Sequence, residues 1–362
     1  MNLNEIKQIK ETLEDQISHC SNVFIVGHNS PDFDSIGSCI GLYQMAESLG
    51  KKGYIIVDDE PSTIEPGVKR IIDENREKVC FIKKASFEQL VDDQSILIVS
   101  DVNKDNMISV GDSLNRVKSI IVLDHHSEDE HTIDTPYRFI SEEISSASEI
   151  VARVLNCSKI KYGKEVANFL LAGICLDTNR FKQNTSSKTH DVAEKLIDSG
   201  ADIDYVNNLF LQEFESYCRI SNLIINGTII RKFSESSLTP IQVSFTLNRN
   251  QPREIYLKED YAKVADRMMK FNGIDAAFAL GYVDDKCIHI SGRSGKRVNV
   301  GNIMKEMQGG GTCQSGGTKI ESDNIFALEE ELISKISYGI SEEETIKEEP
   351  QVIKVKQIQK KS

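Results

Sequence analysis

The sequence predicts an α/β protein in two parts: an N-terminal domain with a mostly parallel sheet flanked by helices, then a smaller C-terminal α+β domain. Three observations predict this. Short β-branched runs at 22–27, 53–57, 95–100 and 119–123 alternate with stretches of helical periodicity, the pattern of parallel strands joined by helical crossovers. After about residue 215 the pattern changes to strand-like segments around a single helix. The 362 residues suit two domains of roughly 100–200 residues each. The expected division is a first domain over 1–215, a helical linker over 216–235, a second domain over 236–340 and a disordered tail over 341–362.

Each element has its own justification. Ile6, Ile9, Leu13 and Ile17 recur at helical spacing, so the first 20 residues read as an amphipathic helix. Residues 22–27 form a continuous apolar run closed by Gly27, which suits a strand buried on both faces. Residues 35–50 return as a helix carrying Ile36, Ile40, Leu42 and Met45, and Gly50 is a natural stop. Three further strands follow at 53–57, 95–100 and 119–123, then helices at 149–155, 166–176 and 191–200. Residues 219–230 read as a helical connector. Strands at 241–246, 276–283 and 287–292 complete the second domain, the last two joined across the turn Asp284-Asp285-Lys286, with a helix at 261–271. The tail starts with the acidic Glu342, Glu343 and Glu344, ends rich in lysine and has few apolar residues.

Composition removes several function classes. With 43 Lys+Arg against 56 Asp+Glu the net charge is −13, which argues against long nucleic acid as a partner. No run of 18 apolar residues exists, so a spanning helix is not expected, and the polar, acidic N-terminus does not fit a signal peptide. Both point to a cytoplasmic chain. The eight cysteines stand singly, none in a CxxC or CxxH pair, which favours reduced thiols over disulfides or a zinc ribbon.

Chemistry-bearing residues gather at one kind of place, just after predicted strands. Gly27-His28 leads to Pro31-Asp32-Phe33-Asp34-Ser35, Asp101 follows 95–100, and Asp124-His125-His126 follows 119–123. Asp177 ends the apolar run 170–176. In an open parallel sheet the C-terminal strand ends share one edge, where ligand crevices lie. Asp32 and Asp34 also suit capping of the helix they precede, and Asp101 also suits a turn. Two adjacent imidazoles at a strand end have no such ordinary use. Converging carboxylates at Asp32, Asp34, Asp101, Asp124 and Asp177 cannot all stay ionised without a counter-charge, which two divalent cations would supply. Mixed carboxylate and imidazole donors suit Mn²⁺, and less distinctively Fe²⁺, Co²⁺ or Zn²⁺.

The ordered set Gly27-His28, Pro31-Asp32-Phe33-Asp34-Ser35-Ile36-Gly37, Asp101, Asp124-His125-His126 and Asp177-Thr178-Asn179-Arg180-Phe181 closely resembles the DHH phosphoesterase superfamily. Ser291-Gly292-Arg293-Ser294, Asn299-Val300, Ile303-Met304 and Gly309-Gly310-Gly311 resemble the DHH-associated nucleotide-binding domain. The likeness covers about 22 to 325. Within the superfamily, residues 22–28, 172–182 and 299–304 are most similar to GdpP-type cyclic-di-AMP phosphodiesterases.

The resemblance implies a Mn²⁺-dependent phosphodiesterase that cuts cyclic-di-AMP to pApA. It implies that His28, Asp32 and Asp101 hold one Mn²⁺ and that Asp34, Asp101, His125 and Asp177 hold the other, Asp101 bridging. It gives His126 the scissile phosphate and Asp124 the orientation of an imidazole. A hydroxide between the metals would attack in line with the leaving 3′-oxygen. In the second domain it implies that Arg293 clamps a phosphate and that Ser294, Asn299 and the backbone of Gly309, Gly310 and Gly311 complete the grip on a small cyclic or linear dinucleotide. Thr312 departs from the family pattern, which places His after the three glycines. Superfamily members also form homodimers. Two other readings share these motifs: a nuclease of very short RNA with pAp phosphatase activity, and a catalytically weak dinucleotide-binding module.

Overall fold

Leu3–His19 form helix α1 in the computed structural model, which describes residues 1–58, 64–211, 214–232, 241–247, 256–295, 297–336 and 351–354. Asn2 caps α1 in a reciprocal pair with Glu5, and Ile6, Ile9, Leu13 and Ile17 are its buried stripe. The chain divides into two units, Met1–Leu211 and Gln212–Ser362.

In the first unit α1 is followed by β1 (Asn22–Val26), α2 (Phe33–Ser48), β2 (Lys52–Ile56), α3 (Pro66–Asn75), β3 (Phe81–Ile82), α4 (Lys84–Leu90), β4 (Ile96–Ser100), β5 (Ser119–Asp124) and β6 (Tyr137–Ile140). Helices α5 (Ala147–Ser158), α6 (Lys164–Asp177), α7 (Ser187–Asp198) and α8 (Ile203–Leu209) complete it. The six strands are all parallel in the order β3-β2-β1-β4-β5-β6. Strand order therefore reverses between β1 and β4, the switch point at which such sheets open a ligand crevice.

Both sheet faces are covered, which is why the strands are continuously apolar. Val23, Ile25, Ile98 and Leu123 pack into the core with α1, α2, α5 and α6, while Phe24, Val26, Val99 and Val122 pack on the other face against Phe87, Val110 and Val117. Helices α2 and α6 approach through glycine. A Cβ on Gly37 would strike the Phe169 carbonyl, and one on Gly173 would lie 2.6 Å from Asp34 Oδ1.

The second unit runs α9 (Phe214–Ile225), β7 (Thr228–Lys232), β8 (Ile241–Leu247), α10 (Lys258–Met268), β9 (Ala276–Tyr282), β10 (Cys287–Ser294), α11 (Val300–Glu306), β11 (Gly310–Gly311), β12 (Ser315–Glu321), α12 (Ile325–Ile336) and β13 (Gln351–Lys354). Its sheet has the order β11-β12-β10-β9-β8-β7-β13, antiparallel except for β8 with β9. Ile288, Ile290, Phe278 and Leu280 face α11 and α12, whereas Ala277 and Ala279 face α9 and α10. Arg219 of α9 pairs with the buried Asp260 of α10 at 3.0 Å.

Two expectations need correction. The helical linker over 216–235 holds only in its first half, because Asn226-Gly227 ends α9 and the β-branched Thr228-Ile229-Ile230 pairs as β7. The expected disordered tail contains β13, where Val352 and Ile353 extend the sheet beside β7. The acidic stretch Glu342–Glu344 and residues 355–362 lie outside the described residues. All eight cysteines are free thiols.

Candidate metal centre

Three parallel strands deliver the donors to one edge. His28 lies just past β1, Asp101 just past β4, and Asp124 closes β5 with His125 and His126 behind it. Asp101 sits at φ +64°, and its N–H donates to the Leu123 carbonyl at 3.0 Å, so the backbone turns while still pinned to β5. Asp32 caps α2, its Oδ1 accepting from the N–H groups of Asp34 and Ser35 at 2.9 and 3.0 Å. The cap occupies only Oδ1, and Oδ2 of Asp32 still faces His28 Nε2 at 3.6 Å. Asp34 is fully buried, and its carboxylate accepts from Ala147 N–H at 2.7 Å and Ser148 N–H at 2.8 Å, the first turn of α5. Asp177 is the last residue of α6.

The donors form two sets that share Asp101. In one, the donor atoms of His28, Asp32 and Asp101 lie within 4.8 Å of one another; in the other, those of Asp34, Asp101, His125 and Asp177 do. His28 Nε2 is 3.5 Å from Asp101 Oδ2. His125 Nε2 is 3.0 Å from Asp177 Oδ2, 3.3 Å from Asp101 Oδ1 and 3.8 Å from Asp34 Oδ2. Asp101, Asp124, His125 and His126 form a third overlapping group. His126 is the exposed member, with Nδ1 2.9 Å from Asp124 Oδ1.

The electrostatics call for a cation. Complete burial, then Asp101 and Asp177, push the Asp34 carboxyl well above its ordinary value. Burial likewise raises Asp177. Burial alone would lower His28 and His125, but the surrounding carboxylates override it and take both up to about 11. Burial would also raise Asp101, yet His125 and His28 hold it well below the carboxylate range. Asp124 Oδ2 is buried with no hydrogen-bond partner, and His125 Nε2 and Asp101 Oδ1 are buried with only close approaches that lack hydrogen-bond alignment. His28 Nδ1 donates to the Asn29 carbonyl at 2.9 Å, which leaves Nε2 as the donor atom aimed at two carboxylates. Orphaned oxygens, an oriented imidazole and uncompensated negative charge all fit divalent cations with oxygen and nitrogen donors.

Two contributors escape sequence reading. Asn29 sets the His28 tautomer through its carbonyl, and Asn103 Nδ2 donates to the His126 carbonyl at 3.1 Å, holding the loop after β5. Neither lies in a pattern that spacing would single out.

The expected nucleotide contacts gather in the second unit around residues 292–317. Arg293 Nε donates to Asp266 Oδ1 at 2.7 Å, and its Nη1 donates to the Gly292 carbonyl at 2.9 Å. Ser294 Oγ donates to the Val298 carbonyl at 2.6 Å and the Cys313 carbonyl at 3.2 Å. Asn299 caps α11 by accepting from Asn302 N–H at 3.0 Å. The side chains of Ser294 and Asn299 are thus committed to shaping the loop. Gly310 and Gly311 pair with Gly317 and Gly316, Gly309 packs on Thr318, and nothing lies within 4 Å of a Cβ placed on Gly310. Thr312 N–H donates to the Ser315 carbonyl at 2.7 Å, closing the turn.

Comparison with known proteins agrees with this architecture. Residues 22–174 match the DHH family, N-terminal domain, and residues 243–337 match the DHHA1 domain. The chain is 30% identical over 335 residues to the cyclic-di-AMP phosphodiesterase PdeA of Listeria monocytogenes, covering 91% of this chain and 49% of that protein. It is also 30% identical to the cyclic-di-AMP phosphodiesterase GdpP of Bacillus subtilis, covering 92% of this chain and 50% of that protein. The chain thus spans about half the length of these curated relatives. A probable manganese-dependent inorganic pyrophosphatase of Streptococcus thermophilus is 29% identical over 64% of this chain and 69% of its own. Among solved structures, an exopolyphosphatase-related protein from Bacteroides fragilis shares the fold, with a TM-score of 0.72 at 21% identity over 91% of this chain and 96% of that one.

Proposed function

Because the chain belongs to the DHH phosphoesterase superfamily, with a DHH domain followed by a DHHA1 domain, we propose that it is a Mn²⁺-dependent phosphodiesterase that opens cyclic-di-AMP to linear pApA. The observation that carries the metal part is the sharing of buried Asp101 by two donor sets. His28, Asp32 and Asp101 would hold one cation, and Asp34, Asp101, His125 and Asp177 the other. When bound, two divalent cations supply positive charge to a phosphoryl oxygen and a lowered pKa to water.

The chain's own residues do the rest. Asp124 accepts from the His125 backbone N–H at 2.7 Å and lies against His126 Nδ1, so one carboxylate oxygen pins the turn after β5 and orients the His126 imidazole. That leaves His126 Nε2 to meet the phosphate and protonate the leaving 3′-oxygen. Asp34, tied to two amides of α5, holds its place without a flexible stem. In the second unit Arg293 offers a planar fork to a phosphate in exchange for Asp266, and the open side of Gly310 admits close approach of a ligand.

The names of the relatives support cyclic-di-AMP as substrate, and the net charge of −13 disfavours long nucleic acid. Thr312, without an imidazole, bears on the choice between a cyclic and a linear dinucleotide, and the second reading is a nuclease of very short RNA that also dephosphorylates pAp. Chromatography of the products from cyclic-di-AMP, pApA and pAp with Mn²⁺ separates them. The expected result is pApA from cyclic-di-AMP; cyclic-di-AMP left intact while pAp is consumed overturns the first reading.

A further inference from the structure

The sheet face of the second unit that meets α10 carries a row of polar side chains. On β10, Ile288 and Ile290 point into the core, so His289, Ser291 and Arg293 share the opposite face. Lys258, Ala262 and Asp266 follow one another along one side of α10 at intervals of four residues, and Asp266 touches Arg293. Across β10 the register places Lys319, Gly317 and Ser315 of β12 beside His289, Ser291 and Arg293. The middle of the strip is therefore lined by Ala262, Ser291 and Gly317, all small, with polar groups at either end.

His289 is the unusual member. It is half-buried, its Nε2 lies 3.1 Å from Ser291 Oγ, and its ring is 6.4 Å from that of Tyr261. A Cβ on Gly317 would lie in ordinary contact with the ring, 3.5 Å from Cε1. Among the described residues nothing hydrogen-bonds Nδ1, and that atom is not sealed from solvent. Burial first, and then the cations Lys258, Lys319 and Arg293, push the imidazole down to about 4, so it is uncharged at neutral pH. An uncharged ring with one nitrogen held by Ser291 presents a single fixed donor or acceptor, which suits an uncharged base edge better than a phosphate. Arg293 lies four residues along the same strand, roughly 13 Å at about 3.3 Å per residue. That separation matches the reach of one nucleotide from base edge to phosphate.

We infer that His289 is a specificity-determining residue that contacts the base of the nucleotide whose phosphate Arg293 clamps. This rests on the reading of the second unit as the nucleotide grip. Calorimetric titration of the full chain without metal, using AMP and ribose 5-phosphate as probes, tests it. The wild-type protein is expected to bind AMP about tenfold or more tighter than ribose 5-phosphate, the size of effect that one buried polar contact and its packing give. His289→Ala is expected to abolish that preference. His289→Asn, whose amide can occupy the Nδ1 position, is expected to keep part of it and guards against simple misfolding. An equal preference in all three proteins overturns the inference, as does equal binding of the two probes by the wild type. If neither probe binds, the nucleotide grip itself fails, whereas hydrolysis of cyclic-di-AMP with Mn²⁺ reports on the metal centre separately.

Discussion

Replacing Asp101 with asparagine removes one charge and almost no volume from both donor sets at once. The φ of +64° there is one that asparagine tolerates, and the N–H bond to the Leu123 carbonyl is unaffected, so the strand end keeps its shape. One set falls from three donors to His28 and Asp32, the other from four to Asp34, His125 and Asp177. A cation that binds only the folded chain stabilises it by about 2.7 kcal/mol at a hundredfold excess over its dissociation constant, so two sites give about 5 kcal/mol. For a unit spanning Met1–Leu211 each kcal/mol moves the melting midpoint by roughly 2–4 °C, which predicts a shift of roughly 10–20 °C on adding Mn²⁺ to chelated protein. Disturbing even a supporting residue costs 10–100-fold in metal affinity. A hundredfold loss at each site leaves about 0.4 kcal/mol per site at the same Mn²⁺ concentration, roughly 2–3 °C in all. Scanning calorimetry of Asp101→Asn and wild type, each with chelator and with Mn²⁺, reads the difference directly. Asp101→Asn retaining more than half of the wild-type shift would refute the shared-ligand reasoning, and so would a wild type with no shift.

Three further predictions address other groups. His126→Ala should lower kcat by about 10²–10⁴ and leave the Mn²⁺-induced melting shift nearly intact; a kcat within threefold of wild type would remove His126 from the proton path. Gly311→Ala forces a side chain into the Ser315 carbonyl at φ +149°, and should destabilise the second unit by about 1–3 kcal/mol in a denaturant titration; unchanged stability would mean that the turn is not held as described. His289 is held below its ordinary value in the fold, so between the folded value of about 4 and the unfolded value near 6.5 the unfolded chain binds more protons, and stability falls with acid. The midpoint should therefore drop less from pH 7 to pH 5 in His289→Asn than in wild type, and equal drops would contradict a neutral His289.

The centre of the first unit was legible because its chemistry is punctuated by local pattern. A run such as Ile96–Ser100 announces a buried strand, and an aspartate directly after it marks the sheet edge. What stayed hidden depends on distant partners. Nothing in Asp34 forecasts that it accepts from Ala147 and Ser148, more than a hundred residues later. The second unit was read less fully for a different reason. Ser315-Gly316-Gly317-Thr318-Lys319 has poor strand propensity, yet it forms β12 because β10 and β11 pair with its backbone on both sides. Arg293 stands out in the sequence within Ser291-Gly292-Arg293-Ser294, but its engagement with Asp266 of α10 does not, since it depends on how that helix crosses the sheet. Asn226-Gly227 is a plain helix stop, but the apolar periodicity of 219–230 runs straight across it and masks it.

The glycines between α2 and α6 have a consequence for which ions the centre admits. Asp34 is wedged between Gly173 and the amides of α5, and Gly37 brings the α2 backbone against the Phe169 carbonyl. Selection among divalent ions turns on cavity size, ligand number and the freedom of the walls to adjust. Here adjustment is denied to the walls rather than to the ligands alone. A divalent ion held by Asp34 would gain room on that side only by prising apart two helices whose backbones already touch, so the helix pair would favour smaller ions over Ca²⁺ at that donor set.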